Sequence, residues 1–175
     1  MKMKIFEIPE PILRQKSLPV AKIDEKVQQT LDDMLETMYA AHGVGLAAPQ
    51  VGLLQRMVVI DVAGKDEKPH PYKMINPEIV SHSEEMETCS EGCLSLPSSY
   101  APVSRYTAVT VRYSDEGGKQ KTLEAVGFLA VAVQHELDHL DGILFIDHLS
   151  PMRRKMVVKR VEKIRKRKQE EEGQK

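Results

Sequence analysis

The chain has 175 residues, of which 41% are hydrophobic and 29% charged, a composition typical of one folded domain with a hydrophobic core. No apolar run is long enough to cross a membrane, and the opening MKMKIFEIPEP has no apolar signal segment, so we expect neither feature. The net charge of −1 conceals an asymmetry, because residues 1–150 carry 14 Lys and Arg against 22 Asp and Glu, whereas residues 151–175 carry 11 against 4. An acidic body with a basic end predicts an anionic partner for that end.

The N-terminal half predicts an amphipathic helix, a glycine-rich break and two strands. Apolar residues recur at helical spacing from Asp24, a suitable N-cap, to the neighbourhood of His42. The segment GVGLAAPQVG, residues 43–52, then interrupts the helix with three glycines and a proline. Its small residues allow the backbone to come close to something else. Strands are predicted over residues 56–62 and 72–77.

The next part of the chain predicts two more strands and a buried helix. β-Branched and aromatic residues predict strands at 103–113 and 119–126, with the turn DEGG between them. The helix is predicted over 127–142 and is apolar almost all round in its first half, so we expect it to be buried and to end at Gly142. The apolar residues 143–149 predict a short extended stretch.

The basic end predicts a third helix, because Ser150 and Pro151 are a suitable N-cap and first helical residue. Residues 151–168 hold ten Lys and Arg and one Glu, together with a narrow apolar stripe. The stripe predicts that this helix packs on the body of the protein with its charges in solvent. We expect its charged end, residues 166–175, to fray.

The two cysteines, Cys89 and Cys93, indicate a reducing environment. They lie four residues apart, so a disulfide between them would close a very small loop with little entropic gain. We therefore expect free thiols and a cytoplasmic location.

The stretch QHELDHLDG, residues 134–142, predicts a metal site. His135 and His139 are one helical turn apart on the same face, and Glu136 is next to the first of them. The alternative is a pair of core histidines with satisfied hydrogen bonds. Two imidazoles and nearby carboxylates are costly to bury in an apolar helix without a function, which favours the metal site.

The helix supplies two ligands, and the third must come from elsewhere. Completion by the pattern HExxHxxGxxH fails because Phe145 stands at the last ligand position, and the following helix offers only Glu162 as a carboxylate. Cys93, in the segment EGCLSLP, could reach the site from a non-regular backbone, and a Cys-His-His set suits zinc or ferrous iron with a fourth position for water. The alternative for Cys93 is a small buried apolar residue. The remaining histidines are isolated in sequence: His42, His70, His82 and His148.

Three motifs together resemble the signature motifs of peptide deformylases, in the same order and at similar separations. They are GVGLAAPQ at 43–50, EGCLS at 91–95 and QHELDH at 134–139. The resemblance extends over most of the chain and includes the opening IPEPILRQKS and the passage LFIDHLSP. It implies an α+β fold in which antiparallel or mixed sheets surround a central metal-binding helix, with an N-terminal and a C-terminal helix. Residues 1–150 would form the catalytic domain and residues 151–175 a basic helix and tail appended to it.

The resemblance also implies the chemistry and the residues that perform it. The family removes the N-terminal formyl group from formylmethionine of new polypeptides, releasing formate. One divalent metal is implied, Fe²⁺ in the cell, with Zn²⁺, Ni²⁺ or Co²⁺ as possible substitutes. Metal ligands by this resemblance are Cys93, His135 and His139. The catalytic groups are the general acid/base Glu136 and two oxyanion donors, the Gln50 amide and the Leu94 backbone N–H. Substrate contacts are Gly45, which binds the peptide backbone, and the pocket for the methionine side chain, formed by Val44, Cys89, Phe128 and Val131.

Further expectations concern neighbouring charges and partners. The resemblance implies that Glu91 and Arg105 pair across the site mouth and position Cys93, with two solvated surface charges as the alternative. Asp138 and Asp147 could orient a metal-bound histidine, or could be solvated or serve at helix ends. The basic helix is expected to contact ribosomal RNA near the polypeptide exit, with a membrane surface as the alternative. Two other functions remain open from the residues alone: a metallopeptidase using the same helix, and a non-catalytic ribosome-associated protein with a structural metal.

Overall fold

A computed structural model describes residues 1–174 and shows three helices and seven strands among them. The helices are α1 (Glu25–Ala40), α2 (Gly127–Leu140) and α3 (Pro151–Gly173). The strands are β1 (Gly45–Ala47), β2 (Met57–Ile60), β3 (Tyr72–His82), β4 (Met86–Cys93), β5 (Leu96–Tyr106), β6 (Ala108–Ser114) and β7 (Gln120–Val126). Short 3-10 turns occur at Pro11–Arg14, Ala48–Val51 and Phe145–His148. The fold is α+β, as expected.

The strands form two antiparallel sheets. One sheet has five strands in the order β1-β2-β3-β6-β7, and the other is the hairpin of β4 and β5. Helix α2 packs its apolar residues on the five-stranded sheet and also contacts β5. From Ala130 onward it is buried except for the half-buried Asp138, as expected, whereas Phe128 in its first turn is exposed, contrary to the expectation.

Helix α1 covers the edge of the five-stranded sheet near β1 and β2. The Asp24 carboxylate accepts a hydrogen bond from the Val27 backbone N–H at 3.0 Å, which confirms the predicted N-cap. The apolar face predicted from helical spacing packs against β2 and the segment after β1. Its buried members are Val27, Leu31, Met34 and Met38.

Several segments differ from their predicted structure. Strand β1 was not predicted, and β3 continues to His82, past its predicted end at residue 77. The strand predicted over 103–113 is broken at Thr107, and its two halves, in β5 and β6, belong to different sheets. Strand β4, which ends at Cys93, was not predicted, because its polar residues do not alternate with apolar ones. The extended stretch predicted over 143–149 contains a 3-10 turn, in which the Asp147 carboxylate accepts from the Leu144 backbone N–H at 3.0 Å.

Helix α3 begins as predicted at Pro151, with Ser150 as its N-cap. It packs on β5 and on the turn after α2 through the fully buried Val161 and the partly buried Val157 and Val158. The end that was expected to fray is helical as far as Gly173 in the structure, and fraying in solution stays a prediction; Lys175 lies outside the described residues. None of the helices within residues 1–174 combines the length and apolar character that a membrane crossing requires.

Candidate active site

One sulfur and two nitrogen donor atoms converge where β4 meets α2. One ligand atom each from Cys93, His135 and His139 lies within 4.8 Å of the other two, and Cys93 Sγ is 3.3 Å from His139 Nε2. A tetrahedral metal with bonds of about 2.0 to 2.3 Å holds its ligand atoms roughly 3 to 4 Å apart, so the three residues fit a single ion. No fourth His, Cys, Asp or Glu among residues 1–174 joins this group, and three protein ligands are typical of catalytic zinc sites.

Secondary structure explains how the three side chains meet. His135 and His139 are one turn apart on α2, and both are buried. Cys93 is the last residue of β4, where a register shift between Gly92 and Cys93 interrupts the regular pairing with β5. The expected non-regular backbone is therefore limited to this irregularity at the end of a paired strand.

Glu91, two residues before Cys93, fixes the orientation of the His135 ring through a hydrogen bond. Its Oε1 accepts a hydrogen bond from His135 Nδ1 at 2.8 Å, which leaves Nε2 as the ring nitrogen able to bind a metal. Burial alone would raise the pKa of Glu91, but hydrogen bonds from Arg105 and His135 outweigh it and lower the pKa to about 2. Glu91 is thus an anion at neutral pH.

Arg105 of β5 completes this arrangement from the other side of Glu91. Its Nε and Nη2 donate to the two Glu91 oxygens at 2.8 and 2.9 Å, and its Nη1 donates to Asp138 Oδ2 at 2.6 Å. The pairing of Glu91 and Arg105 is confirmed, but it is buried rather than at the mouth, and it contacts His135 rather than Cys93. Asp138 binds Arg105 and His148 instead of a candidate metal ligand.

The pKa values of the two α2 histidines move in opposite directions. For His139, burial and the neighbouring His135 lower the pKa well below its usual range, which favours the neutral imidazole that binds metals. For His135, burial alone would lower the pKa, but the hydrogen bonds with Cys93 and Glu91 outweigh burial, so the pKa is raised.

The carboxylate of Glu136 is buried in the cavity wall beside β1. Burial raises its pKa to about 7, and its Oε2 has no hydrogen-bond partner among the described residues. A Cβ atom at Gly45 would come within 2.4 Å of Glu136 Oε1, so only glycine permits this approach of β1 to the carboxylate. A buried carboxyl group poised near neutrality is typical of a general acid/base.

The Gln50 side chain is fixed by hydrogen bonds at both ends. Its Oε1 accepts from the Ala47 backbone N–H at 2.9 Å, and its Nε2 donates to Ser95 Oγ at 3.1 Å and approaches Cys93 Sγ at 3.5 Å. The amide N–H₂ therefore faces the candidate metal ligands. Sequence reasoning did not single out Ser95, although it belongs to the quoted motif EGCLS.

These groups line one cavity of about 460 Å³. The predicted residues that line it are Val44, Gly45, Gln50, Cys93, Leu94, Phe128, Val131, His135 and Glu136. His139 adjoins Cys93 behind this wall. The structure does not bring Cys89 into the lining: Cys89 is half-buried opposite Val103, and Ser90 lies on the cavity wall instead. Three further residues for which no substrate contact was predicted also line the cavity: His42, Ser98 and Tyr100.

Comparison with known sequences identifies relatives over nearly the whole chain. The profile of the family described as polypeptide deformylase matches residues 2–155. The peptide deformylase of Mesorhizobium japonicum is 51% identical, with 91% of this chain and 90% of that protein covered. The peptide deformylase of Agrobacterium fabrum is also 51% identical, with 89% and 92% covered.

Solved structures agree with this relationship. A peptide deformylase from Legionella pneumophila superposes with a TM-score of 0.90 at 41% identity, covering 96% of this chain and 98% of that one. The Ehrlichia chaffeensis enzyme in complex with actinonin gives a TM-score of 0.89 at 38% identity, covering 93% and 96%. The chain therefore belongs to the polypeptide deformylase family, the metal-dependent hydrolases that remove N-terminal formyl groups from nascent polypeptides.

Proposed function

We propose that Cys93, His135 and His139 hold the divalent metal and that the cavity beside them hydrolyses the formamide of formylmethionyl peptides. The observation that carries this proposal is the convergence of the three donor atoms next to a buried, unpartnered carboxylate, Glu136, in one cavity. A structural metal site normally has four protein ligands, whereas this group has three ligands and a nearby carboxylate that is not one of them.

The donor set indicates which metals suit the site. One thiolate and two imidazoles suit Fe²⁺ and Zn²⁺, and also Ni²⁺ or Co²⁺, and we infer Fe²⁺ as the ion used in the cell. When bound, the metal would supply Lewis acidity that makes hydroxide available near neutral pH. A buried charge network around Glu91 keeps His135 oriented toward it.

Glu136 is the proposed general acid/base. With a pKa raised to about 7 by burial, its carboxylate can accept the proton of the attacking water and then donate it to the leaving amine. The close approach of Gly45 fixes the carboxylate against β1. The products are formate and a free methionyl N-terminus.

Gln50 and Leu94 are the proposed oxyanion donors. Hydrogen bonds to Ala47 and Ser95 hold the Gln50 amide in place before the substrate arrives. The backbone N–H of Leu94, in the turn of the β4–β5 hairpin, would provide a second donor. Donors fixed in advance stabilise charge that develops on the formyl oxygen in the transition state.

The methionine side chain is proposed to bind among the apolar lining residues Val44, Phe128 and Val131, with the Gly45 backbone holding the peptide. Cys89 was included in this pocket on the basis of resemblance. Its position outside the lining argues against a contact with the methionine side chain.

The proposal predicts which variants lose metal and which lose only turnover. The protein, purified anaerobically with Fe²⁺, should release formate from formyl-Met-Ala-Ser, and actinonin, which the Ehrlichia relative binds, should inhibit it. Cys93→Ser should lose tight metal binding. Glu136→Ala should retain the metal but lose at least 100-fold in kcat, the effect of a general acid/base. Absence of formate with iron, nickel, cobalt and zinc, or full turnover by Glu136→Ala, would contradict the assignment.

We further infer a cytoplasmic enzyme whose basic C-terminal helix and tail, residues 151–175, are appended to a catalytic domain of residues 1–150 and contact ribosomal RNA. Exposed Lys and Arg residues cover the outer part of α3, and nascent polypeptides are made on the ribosome. Both cysteines are free, which suits a reducing compartment.

The ribosome proposal is tested without removing α3, because Val161 belongs to the hydrophobic core. A variant with Lys163, Lys166 and Arg167 changed to Glu should cosediment with ribosomes at least tenfold less than the unchanged chain in low salt. A matched variant with three acidic residues of the same helix, Glu170, Glu171 and Glu172, changed to Gln should retain binding. Equal cosedimentation of the Lys/Arg variant and the unchanged chain would rule out this role.

A further inference from the structure

Three residues other than glycine have a left-handed backbone among residues 1–174: His42, Asn76 and Ser98, with φ of 56°, 52° and 53°. This conformation crowds Cβ against the backbone and disfavours most residues, although His, Asn and Asp tolerate it better than others. Two of the three, His42 and Ser98, line the active-site cavity. Such residues persist only where something compensates for the strain.

Asn76 has a compensating structural role. Its Oδ1 accepts from the Val20 backbone N–H at 2.8 Å, and its Nδ2 donates to the Val20 carbonyl at 3.0 Å. These two bonds hold the N-terminal segment on β3. Asn76 is not part of the cavity lining.

His42 stands where a helix ending of this type normally has glycine. Its backbone N–H donates to the Tyr39 carbonyl and the N–H of Gly43 donates to the Met38 carbonyl, both at 3.0 Å. This is the Schellman pattern, in which the left-handed residue after the helix is usually Gly. The His42 side chain is exposed and makes no hydrogen bond within the described part of the chain.

Ser98 occupies a bulge in β5. Gly92 pairs with Tyr100 and Cys93 with Leu96, so residues 97–99 have no partners on β4. Its hydroxyl is exposed and, like the His42 ring, has no hydrogen-bond partner among residues 1–174. Bulges near active sites commonly redirect a side chain.

The two residues belong to segments that meet at the cavity. Gly43, next to His42, lies against Leu94 in the turn of the β4–β5 hairpin that carries Ser98. Exposed apolar side chains of the same lining, Val44, Tyr100 and Phe128, are 38%, 70% and 57% accessible. Exposed apolar groups beside unpartnered polar groups are typical of a surface that binds a ligand.

We propose that His42 and Ser98 are specificity residues that bind the peptide beyond the formylmethionine. The inference rests on the proposed function, because it assigns these contacts to the same substrate. The His42 ring offers one N–H donor and one acceptor, and the Ser98 hydroxyl offers both, which suits the backbone amides of an extended peptide. The strained left-handed backbone at these two positions is then retained because it directs the His42 ring and the Ser98 hydroxyl toward the substrate.

The test separates stability from selectivity. The metal-loaded His42→Gly protein should have a Tm about 2 to 4 °C higher, because glycine relieves the strained backbone. Its kcat/KM for formyl-Met-Ala-Ser-Lys should fall about three- to tenfold, the effect of losing one hydrogen bond, and fall less than twofold for formylmethionine amide. Ser98→Gly should show the same selective loss.

Asn76→Gly is the matched control. It relieves the same backbone strain but removes the bonds to Val20, so its Tm should fall, while the ratio of kcat/KM between the long and short substrates should stay unchanged. Equal losses on both substrates in His42→Gly, an unchanged rate on the long substrate, or a lower Tm would each overturn the inference. Failure of the unmodified enzyme on both substrates would instead contradict the proposed function.

Discussion

Arg105 is a buried guanidinium that connects β5 with β4 and α2. Burial would lower its pKa, but its hydrogen bonds to Glu91, followed by those to Asp138, raise it. A buried charge of this kind is stable only while its partners are present. Its position indicates that it acts on the metal site indirectly, by keeping the Glu91 carboxylate in contact with His135.

Arg105→Gln should therefore weaken metal binding without removing a ligand. Loss of an outer-sphere partner typically lowers metal affinity 10- to 100-fold, and we expect a rise of that size in the Kd for Co²⁺ or Zn²⁺, measured by competition with a chelator. Arg112→Gln is the control. Arg112 forms an exposed pair with Glu78 at 3.2 Å, so its loss should leave the Kd unchanged. A Kd for Arg105→Gln equal to that of the control would refute the positioning role.

At the scale of elements, local signals predicted helices better than strands. The N-cap at Asp24, the Ser150-Pro151 start and the glycine after α2 depend on adjacent residues, and all three are present in the structure. Strand β4 depends instead on β5, its hydrogen-bonded partner, because METCSEGC has no apolar alternation of its own. Its burial pattern is set by tertiary contacts that local propensity does not report.

The same distinction applies to the candidate site. The helical spacing predicted that His135 and His139 share one face, and the resemblance to the family implied Cys93 as the third member of the group that the structure brings together. The pair of Glu91 and Arg105 was expected from the resemblance. Its extension to Asp138 joins a third element and is defined only by the fold. The left-handed backbone of His42 and Ser98 was also not predictable, because neither residue type requires it.

Helix α3 is part of the hydrophobic core as well as a basic surface. Val161 is 1% exposed and packs with residues of β5 and of the turn after α2. Val161→Ala should lower the free energy of unfolding by about 2 kcal/mol, through lost burial and the cavity left behind, as measured by urea denaturation. Met156→Ala, at a position 65% exposed on the same helix, should change it by less than about 0.5 kcal/mol. Similar effects of the two substitutions would show that α3 does not dock as described.

At the scale of the whole molecule, Asp61 connects α1, the loop after β2 and Val44, the residue that precedes β1. Its carboxylate accepts from the Tyr39 hydroxyl at 2.5 Å and from the backbone N–H groups of Ala63 and His70 at 3.0 and 3.1 Å. Its own N–H donates to the Val44 carbonyl at 2.9 Å, next to Gly45. One buried anion thus holds together three segments that are distant in sequence.

This arrangement predicts a specific acid sensitivity. Burial alone would raise the pKa of Asp61, but the hydrogen bonds from Tyr39, Ala63 and His70 outweigh it and lower the pKa. A carboxyl group with a lowered pKa in the folded state stabilises the fold above its unfolded pKa of about 4 and loses that contribution as the pH falls through the folded value. The difference in unfolding free energy between the unchanged chain and Asp61→Asn should therefore be about 1 to 3 kcal/mol at pH 7 and shrink below about pH 4.

Tyr39→Phe tests the cause of this effect. It removes one donor to the Asp61 carboxylate, so the pKa of Asp61 should rise toward its unfolded value and part of the stability difference should disappear. Urea denaturation between pH 3 and pH 7 would measure the unfolding free energy of both variants. The titration of the metal-site groups is the same in both, so it cancels in the comparison. If the stability difference for Asp61→Asn does not depend on pH, Asp61 contributes through packing and not through its charge.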